Sequence, residues 1–522
     1  MSSIVWTGSR CVIVGEALGM HDGLGGTCGP ALRRNASHEC SHRAARAVAF
    51  LVATGLSIGH ALADDQSDCA VAAGTPAIEA CTRLLSADPG LRKPFVFYNR
   101  GAARILAGEM ARAADDFNEA IRLDPTLTGA YTGRGITHMF SGRLDEAIAD
   151  WTEAIRLTPP GETPGFMSQP YMNRGIARAR RGDVAGGLAD LDTAIRINPQ
   201  DGEIYSNRGW VLIRTAQYER ALADLDQAIK LAPNFSKAYN NRGFARTQLK
   251  RYEDAMADYD TAIRLDPRDH QPRTNRGALL AQTGQLEQGL SNLDEAVQLN
   301  PSDAEARTVR ASILLAMHRP EMAVSGATEA IRLQPSATGA RLVRGRAYTE
   351  TGDFPHAIED LDEAIRVSPL EVAAWIDRGV AHERLGELDL AVVDYREAAK
   401  LAPLLAVPHY NLGNVHRTMK ALDLALADYT KATALAPDDA QIYTDRGIVF
   451  AMQGHPDLAV ADYTESLRLR PRHAPTHYNR AGSYRAMGRM EEAIADYRTV
   501  LELEPTFTRA KDRLLELGGT TP

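Results

Sequence analysis

"YSNRGWVLIRTAQYERALADLDQAIKLAP" at residues 205–233 is followed by "YNNRGFARTQLKRYEDAMADYDTAIRLDP" at residues 239–267, so the pattern returns after 34 residues. Prolines at the ends of such stretches give the period for most of the chain: Pro125, Pro159, Pro199, Pro233, Pro267, Pro301, Pro335, Pro369, Pro403, Pro437, Pro471 and Pro505. Every interval is 34 residues except the one after Pro159, where the insertion "PPGETPGF" (159–166) is predicted to be a loop. A period of this length indicates stacked supersecondary units.

Each unit is numbered 1 to 34 with its proline at position 32, so the first full unit spans 94–127 and the twelfth 474–507. Apolar and small residues at positions 4, 8 and 11, and again at 20, 24 and 27, follow helical spacing. A break near position 15 is often glycine, and the proline at position 32 stops the second helix. We therefore predict helix A, a turn and helix B in every unit. The glycine at position 8 is expected to let helix A approach the small residue at position 20 closely.

This pattern resembles the tetratricopeptide repeat (TPR): aromatic at 4, Gly at 8, Ala at 20, aromatic at 24, Ala at 27 and Pro at 32. The resemblance covers twelve units over 94–507, preceded by a truncated first repeat at 64–93. Residues 508–522 are predicted to form a C-terminal capping helix and tail. The resemblance implies an all-α fold, a right-handed superhelical solenoid of helix-turn-helix repeats. It also implies a concave groove lined by the A helices.

Residues 1–63 are predicted to be a leader. Residues 1–40 show no periodicity, whereas 43–63 combine arginines, a short apolar run and Ala61-Leu62-Ala63, as a signal peptide does. Cleavage after Ala63 predicts a periplasmic or secreted protein. An uncleaved anchor, the one expected route to a membrane, and a non-functional leader are the alternatives.

Two of the five cysteines, Cys69 and Cys81, would remain after cleavage. An even pair in an exported chain predicts a disulfide within the truncated repeat. The alternative is two reduced, buried cysteines.

Composition and motifs argue against catalysis. The 522 residues carry a net charge of −8 with both signs spread along the chain, which does not indicate nucleic-acid binding. No phosphate-binding glycine loop, zinc-ligand spacing or nucleophile motif is found, and the paired histidines His409/His416 and His473/His477 are interpreted as packing or groove residues. We predict no enzyme, no metal, no cofactor and no small-molecule substrate.

Arginine at position 7 and aspartate at position 23 recur in nearly matching numbers. The arginines are Arg100, Arg134, Arg174, Arg208, Arg242, Arg276, Arg310, Arg344, Arg378, Arg446 and Arg480. The aspartates are Asp116, Asp150, Asp190, Asp224, Asp258, Asp360, Asp394, Asp428, Asp462 and Asp496. One residue on each helix predicts a bidentate ion pair between helix A and helix B. A ligand-binding row of arginines is the alternative.

Position 6 is the main candidate for binding. It is asparagine in seven units: Asn99, Asn173, Asn207, Asn241, Asn275, Asn411 and Asn479. Asparagine is a mediocre helix former, whereas its amide can donate to and accept from a peptide backbone. The row is similar to the asparagine ladder with which the repeats of O-GlcNAc transferase hold peptide. The alternative is that the asparagines were copied with the repeat and bind nothing.

Position 9 lies beside the asparagines and is large and apolar in units two to five, with Ile136, Ile176, Trp210 and Phe244. Such residues on a solvated surface usually mark a binding site; burial against a neighbouring helix is the alternative. We predict a non-catalytic protein–protein interaction scaffold that binds extended protein segments in the groove. The second hypothesis is a targeting or assembly subunit of a cell-envelope machine for secretion, pilus assembly or polysaccharide export.

Overall fold

The computed structural model describes residues 2–7, 10–15, 63–71, 74–87, 93–159 and 161–520. The predicted signal segment lies outside these residues, apart from Ala63. Two short strands that the sequence did not predict, β1 (Ser2–Thr7) and β2 (Arg10–Gly15), pair antiparallel, with Ser2 opposite Gly15.

The rest of the described chain is helical. Its helices are α1 (Ala63–Val71), α2 (Thr75–Ala87), α3 (Pro94–Leu106), α4 (Met110–Leu123), α5 (Thr128–Phe140), α6 (Leu144–Leu157), α7 (Pro164–Arg181), α8 (Val184–Ile197), α9 (Gly202–Arg214), α10 (Tyr218–Leu231), α11 (Ser236–Gln248), α12 (Tyr252–Leu265), α13 (Gln271–Gln282), α14 (Leu286–Leu299), α15 (Ala304–Ala316), α16 (Pro320–Leu333), α17 (Thr338–Thr351), α18 (Phe354–Val367), α19 (Val372–Leu385), α20 (Leu388–Leu401), α21 (Ala406–Thr418), α22 (Leu422–Leu435), α23 (Ala440–Met452), α24 (Pro456–Leu469), α25 (Ala474–Ala486), α26 (Met490–Leu503) and α27 (Thr508–Glu516).

Each predicted unit is one helix pair, from α3 and α4 in unit 1 to α25 and α26 in unit 12. The array divides into two compact bodies between Ile313 and Leu314, within α15. One detail of the prediction was wrong: the loop proposed for 159–166 ends early, because α7 begins at Pro164. Proline suits the first helical position, since its missing N–H has no partner there in any case.

Close contact between helices A and B explains the small residues. A Cβ atom added to Gly209 would lie 2.8 Å from Leu225 Cγ, and one added to Gly175 would lie 2.8 Å from the carbonyl oxygen of Gly187. The closest neighbour of the glycine at position 8 is therefore the position-24 side chain in some units and the position-20 backbone in others. The expected close approach is confirmed, and Ala221 at position 20 is fully buried.

The turn between helices A and B needs a left-handed residue at position 15. Glycine fills that position in eight units with positive φ, as at Gly454. In the other four units Ala216, Lys250, His318 and Lys420 take φ between 55° and 60°. A side chain in this conformation costs about 1–2 kcal/mol, so the turn geometry is imposed by the packing of the two helices.

Position 4 ties several units to the proline turn before them. Tyr131 donates its hydroxyl to the Pro125 carbonyl at 3.2 Å, and Tyr239 does the same to Pro233. Trp375 reaches the carbonyl of Pro369 through its indole N–H at 2.9 Å. Each bond satisfies the carbonyl of a proline that lies two residues beyond the last residue of the preceding helix B.

The predicted ion pair between helices A and B is confirmed in nine units. In unit 4 Arg208 donates from Nε and Nη2 to Asp224 at 2.7 and 2.6 Å. The pairs are Arg100–Asp116, Arg134–Asp150, Arg174–Asp190, Arg208–Asp224, Arg242–Asp258, Arg344–Asp360, Arg378–Asp394, Arg446–Asp462 and Arg480–Asp496. Hydrogen bonding to Asp224 raises the pKa of Arg208, so the guanidinium stays charged.

The arginine also reaches the preceding unit, which the sequence analysis did not predict. Arg208 Nη1 donates to Asp192 at 2.6 Å, and Arg242 Nη1 donates to Asp226 at 2.7 Å. Both aspartates are at position 25 of the preceding unit. One guanidinium therefore joins three helices: its own helix A, its own helix B and the previous helix B.

The truncated first repeat is the helix pair α1 and α2. The sulfur atoms of Cys69 and Cys81 lie within bonding distance between these helices, and the Cα atoms are 4.8 Å apart. Both cysteines are buried. At the other end of the chain, α27 follows unit 12 and buries Ala510 and Leu514.

Candidate peptide-binding surface of the A helices

The position-6 asparagines lie on the A helices, and all seven are half-buried. Asn275 on α13 donates to Asn240 Oδ1 on α11 at 2.9 Å, and Asn207 Nδ2 on α9 lies 3.3 Å from Met172 Sδ on α7. Asn240 and Met172 are both at position 5 of the preceding unit. Positions 5, 6 and 9 of the A helices are hereafter called the A-helix surface.

The structure separates the asparagines into two groups. Asn207 and Asn275 each donate an amide N–H to a side chain of the preceding unit. The other five have no side-chain hydrogen bond to any residue that the structure describes: Asn99, Asn173, Asn241, Asn411 and Asn479. A primary amide offers two donors and one acceptor, so these five side chains keep that capacity for a ligand.

The apolar side chains at position 9 are partly packed and partly exposed. Ile176 and Trp210 are half-buried against a core cluster that includes Met172 and Ile204. Phe244 is also half-buried. Ile176 and Trp210 are therefore partly buried against neighbouring helices, as the alternative interpretation predicted, and the rest of each side chain faces solvent.

Two arginines border Trp210. The guanidinium carbons of Arg180 and Arg214 lie 5.7 and 5.2 Å from its ring centroid, within the range of a cation–π contact. Both arginines are at position 13 of their units. Neither arginine could be predicted from the sequence, because position 13 varies from unit to unit and carries no repeated pattern.

In the second body position 6 is aspartate in units 9 and 11, and both carboxylates are already hydrogen-bonded. Arg346 at position 9 donates to Asp377 at position 6 of the next unit at 2.5 Å. Tyr410 at position 5 donates to Asp445 at position 6 of the next unit at 2.9 Å. Burial raises the pKa of Asp377 to about 6, and the Arg346 charge opposes that shift.

Two tyrosines of the B helices in units 9 and 10 are hydrogen-bonded to polar side chains of the A helices. The Tyr395 hydroxyl donates to Glu383 at 2.8 Å, and the Tyr429 hydroxyl donates to Asn414 Oδ1 at 2.7 Å. Burial raises the pKa of Glu383. Charged and phenolic side chains thus satisfy one another here, whereas units 3 to 5 present amides and apolar side chains.

The histidines are placed in packing positions. His416 Nδ1 lies 2.6 Å from Asp428, and His477 contacts both Asp496 and the Pro471 carbonyl. Within the described ranges no cluster of three or more His, Cys, Asp or Glu side chains is arranged to hold a metal ion. Among the same residues, no helix has both the length and the apolar character needed to cross a membrane.

Comparison with known proteins gives the same fold. Four models described as "Tetratricopeptide repeat" match this chain, at residues 250–314, at 132–202, 206–270 and 342–406, at 474–507, and at 407–439. Together these matches cover more than half of the chain. No curated relative matches the sequence.

One solved structure is similar in fold over most of the chain, and a second matches a shorter part of it. The crystal structure of the APC/C hetero-tetramer Cut9-Hcn1 matches with a TM-score of 0.50 at 14% identity, over 92% of this chain and 98% of that chain. A crystal structure of MamA protein is 22% identical, with a TM-score of 0.31, over 33% of this chain and 94% of that chain. The predicted all-α TPR solenoid is confirmed by the helix pairs, the repeat models and the first of these structures. The chain belongs to the tetratricopeptide repeat family.

Proposed function

We propose that this protein is a non-catalytic scaffold that binds extended segments of partner proteins along the A-helix surface, the groove that the family resemblance implies. TPR matches and a TPR-protein structural neighbour support a role in protein interaction. The observation that carries the more specific proposal is the set of half-buried asparagine amides without hydrogen-bond partners among the described residues, Asn173 and Asn241 in particular.

An amide row recognises backbone more than side chains. Each peptide group of an extended segment has one N–H and one carbonyl, and an asparagine amide can pair with either. Such hydrogen bonds contribute about 0.5–1.5 kcal/mol each in net terms. Apolar anchors add affinity, and a buried aromatic anchor contributes about 2 kcal/mol or more; Trp210 and Phe244 are the two aromatic side chains at position 9.

The four asparagines of units 3 to 6 are not equivalent in this proposal. Asn207 uses a weak sulfur acceptor, and Asn275 must give up its bond to Asn240 to bind through the same N–H. Asn173 and Asn241 have no such bond to lose. We therefore expect Asn173→Ala and Asn241→Ala to weaken binding more than the other two substitutions.

The test uses immobilised protein and a random library of unstructured peptides. The quadruple variant with alanine at Asn173, Asn207, Asn241 and Asn275 should lose about 2–5 kcal/mol of binding free energy if single contributions add. Asn234→Ala, an exposed asparagine in a turn outside the A-helix surface, is the matched control. Circular dichroism should show the same helix content for all variants. Unchanged peptide binding by a folded quadruple variant would contradict the proposal.

Capture of partner proteins from a periplasmic fraction on the immobilised protein separates the alternative. A spectrum of unrelated peptides and proteins supports a general scaffold. One stoichiometric partner that belongs to a secretion, pilus or polysaccharide-export assembly supports the machine subunit.

We further propose that the protein is exported, on the basis of the signal-like segment 43–63. Mass spectrometry of a periplasmic fraction should place the mature N-terminus at or near Asp64. Peptides from upstream of residue 55 in mature protein would contradict export with cleavage.

In an exported protein Cys69 and Cys81 would be oxidised, consistent with their placement between α1 and α2. A disulfide closing a loop of this size contributes about 3 kcal/mol by the chain-entropy estimate. Thiol labelling of denatured, unreduced protein should then detect no free thiol, and two labelled cysteines would show that the bridge is absent.

A further inference from the structure

The connections between helices A and B in units 9 to 12 expose an unusual number of large apolar side chains. Each unit contributes one at the end of helix A and one near the start of helix B. All are between 37% and 52% exposed. They are Leu385, Leu390, Met419, Leu424, Met452, Leu458, Met487 and Met490. This set is called the apolar turn edge.

The repeat itself does not require these residues. Position 19, which holds Leu390, Leu424 and Leu458, is polar or glycine in units 1 to 6. Two ion pairs between neighbouring units lie at the same connections there. Arg181 lies 2.9 Å from Asp145, and Arg251 lies 2.7 Å from Glu219. The apolar turn edge is therefore a local property of the second body.

Adjacent units of the edge touch one another. Gln453 in the connection of unit 11 donates to Asp423 in the connection of unit 10 at 2.7 Å. Asp423 is at position 18, as are Asp145 and Glu219, so this bond occupies the place of the ion pairs in the first body. The connections of units 10 and 11 are therefore in direct contact along the edge.

Carboxylates accompany the leucines. Asp389 and Asp457 immediately precede Leu390 and Leu458, and both aspartates are exposed. Among the residues that the structure describes, neither has a hydrogen bond or ion pair. The edge therefore combines a row of apolar side chains with acidic groups whose countercharge is not supplied by the surrounding helices.

We propose that the apolar turn edge docks a cationic amphipathic helix of a partner protein. An amphipathic helix presents a narrow apolar stripe that can cover such a row of leucines and methionines. Lysine or arginine beside that stripe would pair with Asp389 and Asp457. The surface is distinct from the A-helix surface, so one scaffold could hold two partners.

The carboxylates of the edge disfavour two other occupants, a second copy of the chain and an anionic lipid surface. A second copy of the chain docked through the same edge would bring its aspartates against those of the first copy. An anionic lipid surface would be repelled by the same carboxylates. Contiguous exposed apolar surface of this kind usually marks a protein-binding site.

The probe is a synthetic helix of leucine and lysine about 18 residues long, with a leucine and glutamate helix as its counterpart. Leu390→Gln, Leu424→Gln and Leu458→Gln are combined in one variant. Affinity for the leucine and lysine helix should fall at least about tenfold. Met322→Gln changes an exposed position-19 residue in unit 7, outside the edge, and should bind as wild type does. Asp389→Asn with Asp457→Asn should weaken binding and reduce its dependence on salt.

Circular dichroism first establishes that each variant is folded. Unchanged affinity of the folded triple variant would overturn the proposal, and so would equal binding of the glutamate helix. Sedimentation showing a wild-type dimer that the triple variant loses would assign the edge to a second copy. Binding of wild type to phosphatidylglycerol vesicles, lost in the triple variant, would assign it to a membrane. The quadruple asparagine variant should bind the lysine helix normally, which separates this site from the proposed peptide surface.

Discussion

Units 10 (406–439) and 11 (440–473) are neighbours with the same helix pair, but the aspartate at position 23 has a different partner in each. In unit 11 Arg446 donates from Nε and Nη2 to Asp462 at 2.8 and 2.7 Å. Unit 10 has Leu412 in place of the arginine, and Asp428 is instead contacted by His416 Nδ1 at 2.6 Å. The aspartate is the constant feature, and its partner comes from position 7 in one unit and position 11 in the other.

The two units also differ at position 4, where unit 10 has a buried side chain without hydrogen bonds. Tyr443 packs its ring beside Arg446 in unit 11, with the guanidinium 5.6 Å from the ring centroid. His409 stands at the same position in unit 10, where it is buried with neither ring nitrogen hydrogen-bonded. Unsatisfied buried polar atoms destabilise a fold. Unit 10 therefore keeps its helix pair through packing and the contact between His416 and Asp428, although the ring nitrogens of His409 are buried without hydrogen bonds.

The largest expected effect comes from breaking the ion pair of unit 11. Arg446→Leu leaves the buried Asp462 without a cation, since Phe450 occupies position 11 where unit 10 has its histidine. Removing one partner of a buried pair typically costs about 3–5 kcal/mol. Hydrogen exchange of α23 and α24 should show a loss of that order in their opening free energy.

The double variant Arg446→Leu with Phe450→His copies the arrangement of unit 10. It should recover a substantial part of the lost stability, because the imidazole can reach the carboxylate from position 11. If the histidine restores nothing, the equivalence of the two solutions is wrong.

Overpacking position 20 should affect both units alike. Ala425 in unit 10 and Ala459 in unit 11 are fully buried. Leucine at either position should cost about 1–3 kcal/mol, because the helices must separate to admit it. Ala427→Leu, on the exposed face of α22, is the control and should have little effect. A cost confined to unit 11 would show that the packing of unit 10 is looser than its contacts indicate. Urea unfolding of the three variants supplies the measurement.

The turns of the two units allow a test in opposite directions. Lys420 takes φ of 59° at position 15 of unit 10, and Gly454 takes 82° at the same position of unit 11. Lys420→Gly should stabilise by about 1 kcal/mol through relief of the left-handed strain. Gly454→Lys should destabilise by about 1–2 kcal/mol. Equal and opposite shifts in the urea midpoint would show that the turn conformation is common to both units; effects of the same sign would contradict it.

The smallest effect concerns pH. Burial lowers the pKa of His409, Lys431 lowers it further, and Asp428 acts in the opposite direction. The unfolded chain, with a histidine pKa of about 6.5, therefore binds the proton more readily than the folded chain. The stability that depends on the neutral ring is complete above about pH 6.5 and is lost as the pH falls toward the lower folded pKa. His416 also faces Asp428, so comparison with a variant is needed.

His409→Tyr is that variant. Tyrosine fills position 4 in units 2 and 5, where its hydroxyl reaches the proline carbonyl of the preceding unit. The variant should be more stable than wild type and should lose less stability between pH 7 and pH 5. Opening free energies of α21 and α22 from hydrogen exchange, corrected for intrinsic rates, provide the test. Identical pH profiles would remove His409 as the cause.

The sequence was sufficient for the features that recur in register. Arg208 and Asp224 could be paired because each stands at a fixed position of a repeated unit, and the 34-residue period supplied the alignment. Contacts between neighbouring units were not predictable in the same way. The Arg208 bond to Asp192 and the Asn275 bond to Asn240 depend on distances between helices that the pattern does not contain.

Exposure was the other quantity that sequence patterns left open. Leu390 and Leu424 are apolar residues in amphipathic helices, and only their exposure in the folded structure distinguishes them from core residues. The asparagines of position 6 were identified as candidates from their recurrence. Which of them keep free amides follows from the side chains at position 5 of the neighbouring unit, as Met172 shows for Asn207.

The two kinds of aspartate that share Arg208 have a consequence for how such a protein grows. Asp224, within the same unit, has a side chain only 9% exposed, whereas Asp192, in the preceding unit, is 57% exposed. Deleting or duplicating a unit such as unit 4 keeps the buried Asp224 with its partner and interrupts only a solvated pair, which contributes little. Recombination of a tandem gene that adds or removes a unit of this kind therefore keeps its buried ion pair intact. The length of the array, and with it the length of the surface it offers, is free to vary in steps of one unit.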